Sequence, residues 1–340
     1  MPIGGYTKVP NKYFWTNSFK IGDSIRGAGY LEIKIDDINF GFFDYEIEKK
    51  RFIFIDCHKE IKKEQFEKLA ETILYSYAFI SGCLINTTYN YLKFQNSDFT
   101  KLTGFRVKQV NESIITNYEL FNTREFKAYF NTKSLYFFPK NIISDLSNSC
   151  YTNPRFLRAL RILCNARQKP VEIEASSIFV VLETIKDLIL INNTEKVSPF
   201  KDDEFAKKII KEFKQKIESL DDSNFNRKNS VLNKLQDLNK PGNNESFRLA
   251  FELVGFELSK NDKNCIAMRN RFLHGNMPYD NEVQDERQKQ LAKISLSAHF
   301  LTCCLILKYI GFDGYAKNFL KFLDITNEID EVDEKLFRKI

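Results

Sequence analysis

Short stretches of alternating apolar and polar residues occupy roughly the first 140 positions of the chain. Residues 30–35 read YLEIKI, and residues 39–43 and 51–56 are rich in aromatic and β-branched side chains. Because successive side chains of a strand point to opposite faces, such stretches predict half-buried β-strands. Residues 59–85 instead repeat large apolar side chains at helical spacing, which predicts one long helix. Further strands are predicted at residues 91–94, 104–110, 113–120 and 135–138.

The pattern changes to helical spacing from about residue 152. Pro154 stands where the first turn of a helix tolerates proline. Residues 172–191 are apolar nearly all round, so this helix should lie at the centre of a bundle. The next helix is expected to begin at Ser198 and Pro199. Its apolar stripe consists of Phe205, Ile209, Phe213, Ile217 and Leu220. Further helices are predicted at residues 231–238, 247–258, 264–273, 285–309 and 316–323.

Three parts of the chain are therefore expected. Residues 1–142 should form an α+β domain with an antiparallel sheet around one long helix. Residues 143–323 should form an all-α bundle, and the Ser- and Asn-rich residues 143–152 are the best candidate for the join. Residues 324–340 are expected to be an acidic C-terminal tail.

The composition is that of a soluble globular protein, with 43% hydrophobic and 28% charged residues among 340. The longest apolar stretch, residues 294–307, is shorter than the roughly 20 residues of a membrane span, so a buried helix is expected. The N-terminus lacks the pattern of a signal peptide. The seven cysteines fit neither a disulfide framework nor a zinc site, which predicts buried reduced thiols in a cytoplasmic protein.

Motifs of several common enzyme classes are missing from the sequence. It has no Gly-rich phosphate loop, HExxH, paired CxxC or GxSxG, so no metal or cofactor is expected. A net charge of +6 is compatible with a polyanionic partner without requiring one. The only histidines are His58, His274 and His299. His299 lies in a strongly apolar helix and is expected to be a core residue. Arg51 and His58 lie in and after a strand and are expected to be structural.

The third histidine, His274, follows a predicted helix at residues 264–273. Cys265, Met268 and Phe272 form an apolar stripe that would dock this helix, and Gly275 would end it. His274 should therefore stand in the last turn, near the surface.

Two polar side chains precede His274 at useful spacings. Asn270 lies four residues earlier, on the same helical face, where its amide can orient the imidazole. Arg269 lies about 140° around the helix from His274, so in one regular helix the two side chains would not converge on one phosphate. Either the helix unwinds at its end, or a second copy of the chain contributes across a two-fold axis. A homodimer with a composite cleft is thus expected.

An arginine and a histidine without metal ligands suit the cleavage of RNA. Imidazole can remove the proton of the 2′-hydroxyl near neutral pH and can protonate the leaving oxygen. Guanidinium stabilises the charge that builds on the phosphoryl oxygens. The expected products carry a 2′,3′-cyclic phosphate and a 5′-hydroxyl, and DNA is not cut.

Residues 269–274 (RNRFLH) resemble the signature of the HEPN family, which is an arginine, four to six residues and a histidine, often with a polar residue after the arginine. The layout also resembles the ApeA-like HEPN branch of bacterial phage defence. The resemblance implies a dimeric helical bundle with endoribonuclease activity, acting in antiviral defence, abortive infection or as a toxin. It implies catalytic roles for Arg269, Asn270 and His274. An N-terminal sensor or regulatory domain, on which a trigger or inhibitor acts, is a hypothesis based on the extra domain.

Other basic and acidic residues are secondary candidates. Lys260, Lys263 and Arg271 could contact the RNA backbone electrostatically. Glu183, on the central helix, is a candidate partner that would hold a basic residue of the motif in place, and a local ion pair with Lys186 is the simpler interpretation.

Three alternatives remain open from the sequence. His274 could merely cap a helix while Arg269 makes a surface ion pair. The bundle could be a non-catalytic module for dimerisation and for binding RNA or protein. A toxin-like transferase that binds a nucleotide donor is disfavoured by the missing phosphate loop.

Overall fold

The structure is a computed structural model that describes most of the chain from residue 30 onwards. The described residues are 2–3, 19–21, 24–26, 30–47, 50–57, 59–84, 88–95, 101–109, 114–116, 118–121, 123–133, 138–139, 141–273, 279, 282–328 and 332–340. Most of the predicted strand at 135–138 lies outside these residues, as do His58 and residues 274–278, which include His274.

A four-stranded antiparallel sheet forms near the N-terminus. The strands of this region are β1 (Pro2–Ile3), β2 (Phe19–Ile21), β3 (Ser24–Arg26), β4 (Tyr30–Ile35), β5 (Ile38–Ile47) and β6 (Lys50–Cys57). The sheet has the order β1-β6-β5-β4, and β2 pairs with β3. In β4, Leu31, Ile33 and Ile35 are buried while Glu32 and Lys34 are exposed. This alternation confirms the predicted half-buried strand.

The predicted long helix is α1 (Lys63–Ser81), and it packs on this sheet. The ring centroid of Tyr77 lies 5.2 Å from that of Phe42 in β5. Gly82 ends the helix with a φ of 70°, and its N–H donates to the carbonyl of Ala78. Four more strands follow: β7 (Cys83–Leu84), β8 (Thr88–Phe94), β9 (Leu102–Gln109) and β10 (Ile114–Ile115). β8 pairs with β9, and β7 pairs with β10.

The segment predicted to join two domains is itself a packed helix. After the short α2 (Thr123–Tyr129), α3 (Ile142–Thr152) lies against α1 and β4. Leu146 is fully buried, and the backbone N–H of Lys34 donates to Ser144 Oγ at 3.0 Å. The Ser and Asn side chains that made residues 143–152 the candidate join bind the edge of the sheet.

The rest of the chain is mostly helical. Its helices are α4 (Pro154–Ala166), α5 (Val171–Ile191), α6 (Thr194–Val197), α7 (Asp203–Glu218), α8 (Lys228–Gln236), α9 (Asn243–Leu253), α10 (Lys260–Leu273), α11 (Gln284–Tyr309) and α12 (Phe319–Thr326). The predicted layout, an antiparallel sheet followed by helices, is confirmed. As expected from its apolar sequence, α5 lies at the centre and packs against α4, α9, α10 and α11.

Helix α7 differs from its prediction in both its start and its packing. It begins after Asp202, whose carboxylate accepts from the backbone N–H groups of Glu204 and Phe205, so Ser198 is not the cap. Its apolar stripe is only partly covered, because Phe205 and Phe213 are each 50% exposed. Since α7 packs mainly on α8, the stripe lies at the surface instead of in the bundle.

Two short strands and a folded C-terminus correct the prediction of an all-α second half with a tail. β11 (Tyr315–Lys317) pairs with β12 (Phe337–Lys339). Three residues are too few to show an alternating pattern, so the sequence did not predict these strands. Residues 324–326 belong to α12, and Phe337 and Ile340 are buried. The described part of the predicted tail is thus integral to the fold.

The apolar stretch at 294–307 forms part of α11. This helix is long and apolar enough to cross a membrane, but 72% of its most apolar window is buried inside the protein. The prediction of a buried core helix is confirmed.

Candidate functional site

Helix α10 carries five of the seven predicted site residues, and His274 follows it outside the described residues. Its apolar residues dock it against the bundle: Cys265 and Phe272 are buried, and Met268 is partly buried against the same core. The ring of Phe272 lies 5.4 Å from that of Phe179 in α5. The predicted stripe is confirmed. The helix is described as far as Leu273, so the place of His274 stays a prediction.

The guanidinium of Arg269 is completely buried, at 0% side-chain exposure. Its Nε lies 3.2 Å from Glu183 Oε1 of α5, and its Cζ lies 4.4 Å from the ring centroid of Phe247 in α9. Burial lowers the pKa of Arg269, and the charge of Glu183 opposes this effect. Arginine nevertheless stays protonated in proteins, so the site contains a buried cation with one paired carboxylate.

Arg269 also holds its neighbour in sequence. Its Nε and Nη2 donate to Asn270 Oδ1 at 3.3 and 2.7 Å. The remaining nitrogen, Nη1, is buried and has no hydrogen-bond partner among the described residues. A buried donor without an acceptor costs free energy, so Nη1 destabilises the site.

The predicted RNA contacts lie on the side of α10 opposite to Arg269. Lys260, Lys263, Asn270 and Arg271 are all exposed. At about 100° per residue they fall within an arc of about 100°, whereas Arg269 points towards the core. The structure therefore brings Glu183, Arg269 and Asn270 together, and it places the other three basic residues along one exposed face. It does not place the Arg269 guanidinium at that face.

Sequence reasoning missed one member of this cluster, Phe247, and gave the neighbouring Lys186 a different partner. Phe247 supplies an aromatic face to Arg269 and also to Lys186, whose Nζ lies 4.7 Å from the ring centroid. Lys186 is buried and pairs with Asp187 at 3.0 Å, not with Glu183 as the simpler interpretation had it. The signal for Phe247 was only its place in an apolar stripe, which does not name a cationic partner.

His299 is the buried core histidine that the sequence predicted. Its Nε2 accepts a hydrogen bond from Arg167 Nε at 3.1 Å, and its ring stacks on Tyr118 with centroids 4.2 Å apart. Burial, with the adjacent Arg167 charge, lowers the pKa of His299 well below its ordinary value. The imidazole is therefore neutral, and it is fully buried within the described part of the protein.

Other expectations concern metals and thiols. All seven cysteines are free, and six of them are buried, as expected of structural thiols. Within the described part of the chain, no group of three or more His, Cys, Asp or Glu side chains is arranged to hold a metal ion.

Comparison with known proteins gives no relative for this site. No protein-family model matches the chain, and no curated protein or solved structure is significantly similar to it. Its function is inferred from its own residues.

Proposed function

We propose that the protein is a metal-independent endoribonuclease of the HEPN type whose site lies on and after the C-terminal turn of α10. The observation that carries the proposal is the joining of Glu183, Arg269 and Asn270 in one hydrogen-bonded and ion-paired cluster. Asn270 precedes His274, the residue proposed as acid and base, by four positions in the sequence. Polar groups fixed in this way support a preorganised site.

In the proposed reaction, neutral His274 removes the proton of the 2′-hydroxyl, and the 2′-oxygen attacks the adjacent phosphorus. The 5′-oxygen leaves with a proton, and a 2′,3′-cyclic phosphate remains on the other fragment. Positive charge at the site stabilises the phosphoryl oxygens in the transition state. Lys260, Lys263 and Arg271 offer exposed cations along one face for the RNA backbone.

A homodimer is part of this proposal. Helix α5 exposes Ile173 and Val180, seven residues apart on one face, and Glu183 lies one turn beyond them. Exposed apolar side chains next to the polar cluster are compatible with a two-fold contact that would complete a composite cleft. We also propose a cytoplasmic location and a role in bacterial antiviral defence or growth arrest, with the N-terminal half receiving the trigger.

The experiment is incubation of single-stranded RNA with the purified protein in EDTA, followed by analysis of the product ends. A 2′,3′-cyclic phosphate and a 5′-hydroxyl are expected, and the DNA oligonucleotide of the same sequence should stay intact. Cleavage that requires added Mg²⁺, or that leaves a 5′-phosphate, would contradict the proposal because it needs different chemistry.

One observation favours a second candidate, a non-catalytic module that binds RNA or protein. The guanidinium of Arg269 has no exposed surface and is already paired with Glu183, as a structural arginine would be. RNA binding without cleavage at any pH from 5 to 9 would support this candidate instead.

A further inference from the structure

The orientation of the Asn270 amide is fixed by its neighbour. Two nitrogens of Arg269, Nε and Nη2, approach the same atom, Asn270 Oδ1, at 3.3 and 2.7 Å. A guanidinium can only donate hydrogen bonds, and an amide accepts only through its oxygen. The oxygen of Asn270 must therefore face Arg269, and its NH₂ group must face away from it.

Arg269 is itself held from two other sides. The carboxylate of Glu183 lies 3.2 Å from its Nε, and the ring of Phe247 lies 4.4 Å from its Cζ. Its side chain is fully buried, and the remaining Nη1 is buried as well. To reach an external phosphate, the guanidinium would have to leave its carboxylate and its aromatic face. Separating a buried pair in this way is strongly unfavourable.

Asn270, in contrast, is exposed. It stands on the same face of α10 as Lys260, Lys263 and Arg271, the cations available to an RNA backbone. With its oxygen occupied, this amide can only donate to whatever approaches from outside. A phosphoryl oxygen accepts such a bond, and so does a neutral imidazole nitrogen, but an imidazolium N–H cannot use it.

We propose that the outward NH₂ of Asn270 contacts the RNA phosphate, and that Arg269 is a positioning residue that fixes this amide through its oxygen. The inference rests on the proposed function, since it names how that site binds its substrate. It reverses the roles expected from the sequence, where Arg269 contacts the phosphate and Asn270 orients His274. Glu183 then acts only indirectly, because it neutralises Arg269 and holds it in place.

The decisive variant is Asn270→Asp, which keeps the side-chain shape and the oxygen that Arg269 binds. It replaces the outward NH₂ with a second carboxylate oxygen, so a donor becomes a negatively charged acceptor. The matched control is Asn264→Asp, because Asn264 is also exposed on α10 and the change in net charge is identical. Both are made in the His274→Ala background, so that a single-stranded oligoribonucleotide stays intact during a fluorescence anisotropy titration.

We expect Asn270→Asp to weaken binding of the oligoribonucleotide by about 10-fold or more relative to Asn264→Asp, as the loss of a charge-assisted hydrogen bond predicts. Equal affinities for the two variants would overturn the proposal. No measurable binding by the His274→Ala parent would overturn it too. Because this assay needs no catalysis, its outcome is separate from that of the cleavage experiment, and the proposed reaction can fail while the contact is found.

Arg269→Gln tests the positioning role by its salt dependence. A residue that contacts a phosphate lowers the slope of log affinity against log salt by about 0.7 when its charge is removed. Arg269→Gln should lower the affinity for the oligoribonucleotide but leave this slope unchanged, whereas Lys263→Gln should reduce the slope. A slope reduced equally by Arg269→Gln would show direct contact and contradict the inference. If Arg269→Gln does not fold, the Asn270→Asp comparison decides alone.

Discussion

Two buried charged side chains of α10 each meet an opposite charge from another part of the chain. Asp262 is 2% exposed and is bound by Arg338, and Arg269 is fully buried beside Glu183. An uncompensated ion in a protein interior costs several kcal/mol, so each pair is needed once its inner member is buried. At the scale of single residues, the stability of the site depends on Glu183.

Glu183→Gln should therefore destabilise the protein by about 1–3 kcal/mol, because it leaves the Arg269 charge buried without a counter-ion. The lower part of the range reflects the 34% exposure of the Glu183 side chain, which lets water screen the pair. Urea unfolding followed by circular dichroism measures the change.

The control for this substitution is Glu252→Gln in α9. Glu252 pairs with Arg248 at 2.5 Å, but both side chains are 53% exposed, so its loss should cost less than about 0.5 kcal/mol. Equal losses for the two variants would show that Arg269 does not need Glu183.

The burial of Arg269 was partly visible in the sequence. At about 100° per residue, position 269 falls in the middle of the arc formed by Cys265, Ile266 and Phe272, so an inward arginine is what the periodicity indicates. The motif spacing drew attention to phosphate contact instead. The partners Glu183 and Phe247 come from α5 and α9, and no local pattern fixes which residues of other helices meet an inward side chain.

At the scale of elements, the C-terminal strand holds the beginning of the helix that carries the site. Arg338 of β12 donates to Asp262 through both terminal nitrogens, at 2.8 and 3.1 Å, and also contacts Glu334 at 3.3 Å. Its Cζ lies 5.0 Å from the ring centroids of Phe256 and Phe300. This bidentate pair fixes the first turn of α10 to the end of the chain.

Arg338→Gln should cost about 2–4 kcal/mol, because Asp262 then remains buried without its cation. Thermal unfolding and amide hydrogen exchange in the first turns of α10 would measure the loss. Lys339→Gln is the matched control: the neighbouring Lys339 pairs with Asp313 at 2.7 Å, with side chains 55% and 75% exposed. It should cost less than about 1 kcal/mol. A similar effect of both changes would mean that β12 does not anchor α10.

The long apolar helices were predicted well, whereas α3 and the short strands were not. The helices of the bundle repeat apolar residues over several turns, so α5 and α11 were found within two residues of their ends. β11 and β12 were missed, because their pairing joins residues about 20 positions apart with only three residues in each strand. The start of α7 depended on which polar residue caps it, and several candidates precede Phe205 in the sequence.

At the scale of the whole molecule, the two predicted domains share one hydrophobic core. Buried side chains run continuously from the sheet through α1 and α3 into α4 and α5. The guanidinium of Arg167 donates to the backbone carbonyls of Ala78 and Phe79 at 2.9 and 3.3 Å, which ties the two halves together. The described part of residues 1–142 thus shares its core with the helices that carry the site.

We therefore expect a single cooperative unfolding transition for the full chain. Far-UV circular dichroism, which reports on helices, and near-UV circular dichroism, which reports on the packing of aromatic side chains such as the buried Tyr77, should give coincident denaturation curves. A chain of residues 143–340 alone should aggregate, because it exposes the faces of α3 and α4 that α1 covers. Two separate transitions, or a stable and soluble fragment, would contradict a shared core. The proposed regulation by the N-terminal half is consequently better tested by surface substitutions than by deletion.

The measurement that tests the central claim most directly is RNA cleavage in EDTA by the wild type, by His274→Ala and by His58→Ala. The two variants make the same substitution, and His58 belongs to the other Arg–His spacing in the sequence. The proposal predicts cleavage by the wild type and by His58→Ala, and a loss of at least about 100-fold in rate for His274→Ala, as expected when a general acid–base residue is removed. Equal rates for all three proteins would contradict the assignment of His274.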